Sequence, residues 1–298
     1  MATGKEIKSR IKSVKNTGKI TKAMELISTV KMKKAQESAQ WARPFAVSAA
    51  ELIGSLWVTP DEIIPTHGKV LVLLIASNKG LCGGYNVNLF KATAELVSGE
   101  NQKYEFVTAG KRAREFIART GGTLLGDFSS DISDTIQPKE AKKISRFLQN
   151  LYKSGEYTSV KIVYSHFISA INQKSVVKNL FPMTSVEMNA FLELVRTKND
   201  APRTSHDTGV VVEYTLEPSR SEIKEQVLPM IYDLIVLEAF LEAKASEHAA
   251  RMVAMKNAKD SAGKKVKSLT LTFNKARQAS ITKEVSEIVS GVESMKDA

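Results

Sequence analysis

The chain has 298 residues, with 43 lysines and arginines against 32 aspartates and glutamates, one cysteine and four histidines, and 43% of it is hydrophobic. That length supports one large domain or two smaller ones around an ordinary core, and the average charge content excludes a wholly disordered chain. One cysteine excludes an internal disulfide framework and a thiolate zinc site, the histidines lack metal-ligand spacing, and no uncharged run approaches the roughly 18 residues that span a bilayer.

The basic start has no apolar stretch behind it, so it does not read as a secretory signal, and a soluble chain of a reducing compartment is expected. The net charge of +11 is concentrated at the two ends. Residues 1–34 hold ten basic side chains against two acids, and residues 251–298 hold ten against five, which leaves the centre close to neutral. Such asymmetry marks surfaces that meet something acidic: nucleic acid, anionic lipid or an acidic protein cavity.

From Lys5 to about Trp57 the chain reads as helix. Ile7, Ile11 and Val14 follow a 4/3 spacing, and Ile20, Met24 and Ile27 repeat it out of register, which predicts a break in the seam near Thr17-Gly18. Pro44 predicts a kink within the helix. Lys69–Ala76 is a short continuous apolar run, as in a strand buried on both faces. Asn86–Val97 then reads as helix, Tyr104–Ala109 as strand, Lys111–Arg119 as helix and Thr123–Phe128 as strand. Pro138–Lys153 reads as a helix with proline at its first position, and Ser159–His166 as a strand. Lys174–Phe181 and Gly209–Leu216 read as a final antiparallel pair around a charged, irregular loop at 196–208.

This alternation predicts an α/β domain with a mostly parallel sheet. Ser219 and Glu222 form a capping-box pair opening a last helix. In it Leu234, Leu237, Leu241, Ala245, His248, Met252 and Met255 keep a 3/4 spacing. Val266, Leu269, Phe273 and Ala276 continue it, and Ile281, Val285, Ile288 and Val292 resume it one residue later. Some sixty helical residues run roughly 90 Å and need a partner along their length. An antiparallel coiled coil of the first and last segments supplies one, and a parallel dimer of two copies is the competing arrangement.

Candidate chemistry is sparse. The glycines of Ser77–Tyr85 follow a strand and precede a helix, as in a dinucleotide-binding turn, but Gly80, Gly83 and Gly84 do not make G-x-G-x-x-G, and Lys79 precedes them instead of following as in a P-loop. A tight turn or protein-contact loop is the better reading. Cys82 has no histidine near it in sequence, and Asp127, Asp131 and Asp134 lack the spacing of a calcium loop. No paired carboxylates or serine triad can be nominated. The basic ends lack interleaved aromatic residues for base stacking, so nucleic-acid binding by a basic coiled coil is the alternative reading only.

Four segments, in order, carry a family resemblance: Ile7–Met24 (IKSRIKSVKNTGKITKAM), Lys79–Gly84 (KGLCGG), Ser246–Ala258 (SEHAARMVAMKNA), and Asn274–Thr282 (NKARQASIT) followed by Glu284, Glu287 and Gly291. Together they resemble the gamma subunit of F-type ATP synthase, bacterial type, over essentially the whole chain. Val292 and Gly18 depart from the usual residues at their positions, and no cysteine-bearing regulatory insertion of the chloroplast kind is present.

The resemblance implies a Rossmann-like α/β domain at 66–218, with shaft helices at 1–58 and 219–298 forming an antiparallel coiled coil. It implies a non-catalytic rotor, without cofactor or metal, turning inside three alpha and three beta subunits. The other partners implied are epsilon, delta and the membrane c-ring. There is no nucleic acid, and membrane association runs through the complex only, at the cytoplasmic face of a bacterial plasma membrane. By the same resemblance Met24, Arg277, Gln278, Thr282, Glu284 and Glu287 contact the alpha–beta ring. Ile281, Val285, Ile288 and Val292 form an apolar bearing at the shaft tip, and Lys79, Gly80, Leu81, Cys82, Gly83 and Gly84 form a contact loop at the base.

Overall fold

A computed structural model describes residues 4–56, 68–99, 102–183 and 219–296. Helix α1 (Gly4–Leu56) is followed by β1 (Lys69–Ile75), α2 (Tyr85–Gly99), β2 (Tyr104–Ala109), α3 (Lys111–Thr120), β3 (Thr123–Asp127), α4 (Pro138–Lys153), β4 (Tyr157–Phe167) and β5 (Gln173–Phe181), and the chain closes on α5 (Arg220–Lys296). The strands form one sheet in the order β3-β2-β1-β4-β5. β1 pairs parallel with β2 and β4, β2 pairs parallel with β3, and β5 is antiparallel to β4. The expected partner of β5, 209–216, and the charged loop at 196–208 lie outside the described residues, as does Trp57.

The chain divides into two compact units, one of residues 28–251 and one of residues 1–27 with 252–298. The borders differ from the expected 1–58, 66–218 and 219–298, because part of each terminal helix belongs with the sheet. In the larger unit β1 explains the continuous apolar run. Leu71, Leu73 and Ile75 face a core with Ile144 and Leu148 of α4 and Val236 and Phe240 of α5. Val70, Val72 and Leu74 face a second core with Leu89 of α2 and Ala113 and Ile117 of α3. Every residue from Val70 to Leu74 is fully buried, and each such side chain contributes about 1.5–3 kcal/mol.

Local chemistry sets the element ends. Gln137 and Glu140 cap α4 reciprocally, with Pro138 in its first turn. Ser219 Oγ accepts from the Glu222 amide at 3.3 Å and opens α5 as expected. Gly110, at φ 116°, turns β2 into α3 where a Cβ would lie 2.1 Å from the Ala76 carbonyl oxygen, so only glycine fits. Both Pro44 and Pro229 are accommodated inside their helices.

In the smaller unit α1 and α5 pack antiparallel. Glu25 pairs with Lys259 at 2.7 Å, and a Cβ on Gly18 would lie 3.4 Å from the Ala262 Cβ. The seam on α1 does not break at Gly18. Ile7, Ile11, Val14, Gly18, Thr21 and Glu25 are its buried or half-buried positions, in one unbroken 4/3 spacing, and Ser28, Met32 and Ala35 continue that spacing along the helix. Of the expected shifted seam, Ile20 and Ile27 are exposed and Met24 is half-buried. Gly18, Thr21 and Ser28 are small enough to sit where helices approach closely, so the register survives the change from large apolar to small residues.

Candidate functional site

On α5 the half-buried positions Ala262, Val266, Leu269, Phe273 and Ala276 form the complementary seam, and from Arg277 onward every described position is exposed. The Gly18–Ala262 and Glu25–Lys259 contacts set Ile7 opposite the region of Phe273–Ala276, so α5 outruns α1. The projecting stretch, residues 277–296, is roughly 30 Å of helix. Ile281, Val285, Ile288 and Val292 line one side of it at 4/3/4 spacing, each at least half exposed. Arg277, Gln278, Thr282, Glu284 and Glu287 share this stretch and are also exposed. The carboxylates are held locally: Ser280 Oγ donates to Glu284 at 3.1 Å, and Lys283 pairs with Glu287 at 3.6 Å. Met24, on α1, is half-buried beside Thr21 and Glu25 of the seam. The overhang therefore brings nine of the ten expected contact and tip residues together, all but Met24.

A second site lies at the carboxyl end of the sheet, within the larger unit. In an open α/β sheet, ligands bind outside the strand ends where the winding reverses, here between β1 and β4. Helix α5 is bonded across that place. Ser246 Oγ donates to the Ser165 carbonyl of β4 at 3.0 Å, and Arg251 donates to the turn after β1, from Nη2 to Lys79 O at 2.9 Å and from Nε to Gly80 O at 3.3 Å. The turn therefore spends its carbonyls on a guanidinium, whereas a phosphate site needs amides aimed at the ligand.

All residues from Glu238 to Ala249 are buried, on every face of the helix. Ala239, Ala243, Ala245, Ser246 and Ala249 allow the close approach, and Tyr85 of α2 donates its hydroxyl to Ala243 O at 3.2 Å. Burial pushes the Tyr85 phenol well up, so it remains a donor. The charges in this stretch are paired. Glu242 meets His166 at 2.8 Å, and Glu247 meets Arg251 at 2.7 Å and Lys244 at 3.4 Å. Burial opposes ionisation of Glu247, but Lys244 and Arg251 outweigh it and hold the carboxyl below its ordinary value. Arg251 Nη1 donates to His248 Nδ1 at 3.3 Å, so the neutral ring carries its proton on Nε2, which is buried without a partner among the described residues. Burial is the main cause that lowers the His248 pKa to about 4.

The turn splits in its exposure. Lys79, Leu81, Gly83 and Gly84 face outward, Gly80 is half-buried, and Cys82 is 2% exposed. Cys82 accepts a bond from Asn86 Nδ2 at 3.2 Å and anchors the turn to α2. The expectation that Cys82 itself is a contact residue is thereby corrected: a side chain packed in the core cannot be a surface contact. Asp127 pairs with Arg114, Asp131 with Lys143 and Asp134 with Lys31, so these acids are held by basic side chains. Arg251 was missed because an arginine among small residues reads as solvated. Its one sequence signal is the glutamate four residues earlier. Among the described residues no helix is long and apolar enough to cross a membrane.

The family model described as ATP synthase matches residues 3–295. The ATP synthase gamma chain of Moorella thermoacetica is 36% identical, covering 99% of this chain and 100% of the relative. That of Leptospira biflexa is 37% identical over the same shares of the two chains. Among solved structures, a chain of the Euglena gracilis mitochondrial ATP synthase rotor shares the fold at TM-score 0.63 and 18% identity, covering 93% of this chain and 98% of that one. A chain of the Tetrahymena thermophila mitochondrial ATP synthase central stalk and c-ring does so at TM-score 0.58 and 22% identity, covering 80% and 99%. The near-complete family match and the full-length relatives above 35% identity establish that the chain belongs to the ATP synthase gamma-chain family.

Proposed function

We propose that this chain is the central-stalk rotor of an F-type ATP synthase, coupling ion-driven rotation of the c-ring to conformational cycling of catalytic beta subunits. The observation that carries the reading is the overhang of α5. A solvent-facing helix with Ile281, Val285, Ile288 and Val292 in one stripe has no counterpart among the described residues of its own coiled coil and needs an enclosing partner. Three alpha and three beta subunits around one copy supply it. Epsilon, delta and the c-ring complete the partners, at the cytoplasmic face of a bacterial membrane to which the chain is bound peripherally.

The chain then does no bond chemistry of its own. It acts by presenting unequal faces. A ligand or partner shifts a conformational equilibrium only by its difference in interaction energy between the states, and an axially symmetric rod offers no such difference. Here α1 exposes Ile20, Leu26, Ile27 and Val30 beside lysines, while the overhang of α5 carries its own apolar line, so the sides of the shaft differ in chemistry. Exposed ion pairs are individually weak, which suits contacts that break in every turn.

Reconstitution tests the reading. Purified alpha and beta subunits mixed with this chain should elute as one complex with a single copy per hexamer, hydrolysing ATP well above the alpha–beta background. A chain that is folded yet neither co-elutes nor changes hydrolysis would sink it.

A further inference from the structure

We infer that Arg251 is a positioning residue that fixes the Lys79–Gly84 turn to helix α5, so that the turn moves as part of the rotor helix and not as a free loop. The inference rests on the rotor reading for what the turn is used for, and on the geometry alone for the clamp.

Leu81 has φ 62° and is 64% exposed, and Gly83 follows at φ 57°. A bulky residue in the left-handed region costs of the order of what one good hydrogen bond supplies, and such a residue persists only where its surroundings over-determine it. Two anchors do so here. On the α2 side Asn86 donates to Ser77 Oγ at 2.8 Å and to Cys82 Sγ at 3.2 Å, and its Oδ1 accepts from the Ser77 amide at 3.2 Å. On the α5 side, among the described residues, the Lys79 and Gly80 carbonyls accept from the Nη2 and Nε donors of Arg251.

The same guanidinium is oriented from behind by Glu247 at 2.7 Å and by His248 Nδ1 at 3.3 Å, and the side chain is itself buried. A planar fork of donors makes these contacts at once; a lysine, with one ammonium, cannot. The clamp therefore passes force from α5 through two backbone carbonyls to an exposed leucine. A turn tied only to α2 would swing on its glycines when a partner pushes on it.

Cys82 gives a direct readout, because it is the only cysteine in the chain and lies sealed beneath the turn. Its alkylation by N-ethylmaleimide in the full chain, followed by mass spectrometry across low urea concentrations, reports opening of the turn. Arg251→Lys should raise the rate about tenfold or more, with no dependence on low urea, since the opening is local. The double variant Arg251→Met with Glu247→Gln, which leaves no unpaired carboxylate, should do the same and covers the case in which the lysine variant folds poorly. Leu148→Ala weakens the opposite core and should leave the low-urea rate as in the unmodified chain. Unchanged rates in both Arg251 variants, or an equal rise in Leu148→Ala, would overturn the clamp. In the alpha–beta complex the Arg251 variants should keep one copy per hexamer but lose hydrolysis stimulation severalfold; full stimulation with a freed turn would overturn its mechanical use. Failure of the unmodified chain to assemble at all would strike the rotor reading instead and leave the thiol result standing.

Discussion

Gly18 of α1 faces Ala262 of α5 so closely that a Cβ on the glycine would come within 3.4 Å of the alanine methyl. This is ordinary contact distance, so the site tolerates one methyl group and nothing larger. Glycine inside a helix costs about 0.5–1 kcal/mol relative to alanine. Gly18→Ala should therefore raise shaft stability by about that amount, read as a higher urea midpoint. Gly18→Leu should push the helices apart and lower the midpoint by about 1–3 kcal/mol equivalent. If leucine is tolerated as well as alanine, the close approach is not what holds this crossing.

The overhang separates folding from assembly. Ile281, Val285, Ile288 and Val292 are each at least half exposed among the described residues, so replacing Ile281 and Ile288 by serine should change the stability of the free chain by no more than about 0.5 kcal/mol per site. In the reconstituted complex the same pair should weaken assembly or hydrolysis, read by size exclusion and by ATP turnover. A large loss of stability in the free chain would show that the stripe packs within the chain after all.

His248 gives a pH dependence with a definite sign. Its folded pKa is lowered to about 4, mainly by burial, from the ordinary 6.5. Between those values the unfolded chain binds more protons than the folded one, so stability rises with pH across that window. The contribution is fully present above pH 6.5 and is lost as the pH falls through the folded value. Glu247, held below its ordinary value by Lys244 and Arg251, adds a loss of the same sign at lower pH. Urea midpoints measured at pH 7 and pH 5 should fall on acidification in the unmodified chain and fall less in His248→Gln. An equal fall in both would place the acid sensitivity elsewhere.

Gly110 predicts the sharpest local failure. At φ 116° a Cβ would lie 2.1 Å from the Ala76 carbonyl oxygen, between backbone groups that cannot move aside cheaply. Gly110→Ala should cost about 3 kcal/mol or more, where Gly121→Ala, at φ 72° with open space around it, should cost about 1–2. Thermal unfolding of the two variants side by side decides whether the steric contact or the backbone angle dominates.

Much of the fold was legible. β2 and α4 have the bounds read from the sequence, because a run bounded by glycine and a helix opened by proline leave few alternatives. β1 was legible as doubly buried since no polar residue interrupts it after Lys69. The seam through Gly18, Thr21 and Glu25 was not, because hydrophobic periodicity finds large apolar side chains and is blind to small ones at a close crossing. It picked Ile20 and Ile27, which face outward.

Nor was the burial of Glu238–Ala249 on every face legible. Glu238, Glu242, Lys244 and Glu247 give no sign of it in the sequence, and burial of such groups depends on partners distant in sequence, such as His166 for Glu242. Periodicity picked out Ile281, Val285, Ile288 and Val292, but their contact role came from the family resemblance, because periodicity cannot say where a helix loses its partner. The Arg251 clamp lay in a recognised segment, yet its partners are main-chain carbonyls, which leave no trace in side-chain pattern.

Rotation itself tests the central claim most directly. Ile171, at the tip between β4 and β5, is 85% exposed, so Ile171→Cys offers a point of attachment for a bead while the buried Cys82 is spared. With the alpha–beta ring fixed to a surface through beta, added ATP should drive stepwise rotation of the bead in one direction, stopping when ATP is withdrawn. A bead that stays still, or only fluctuates, while the same complexes hydrolyse ATP would contradict the account of this chain as the rotor.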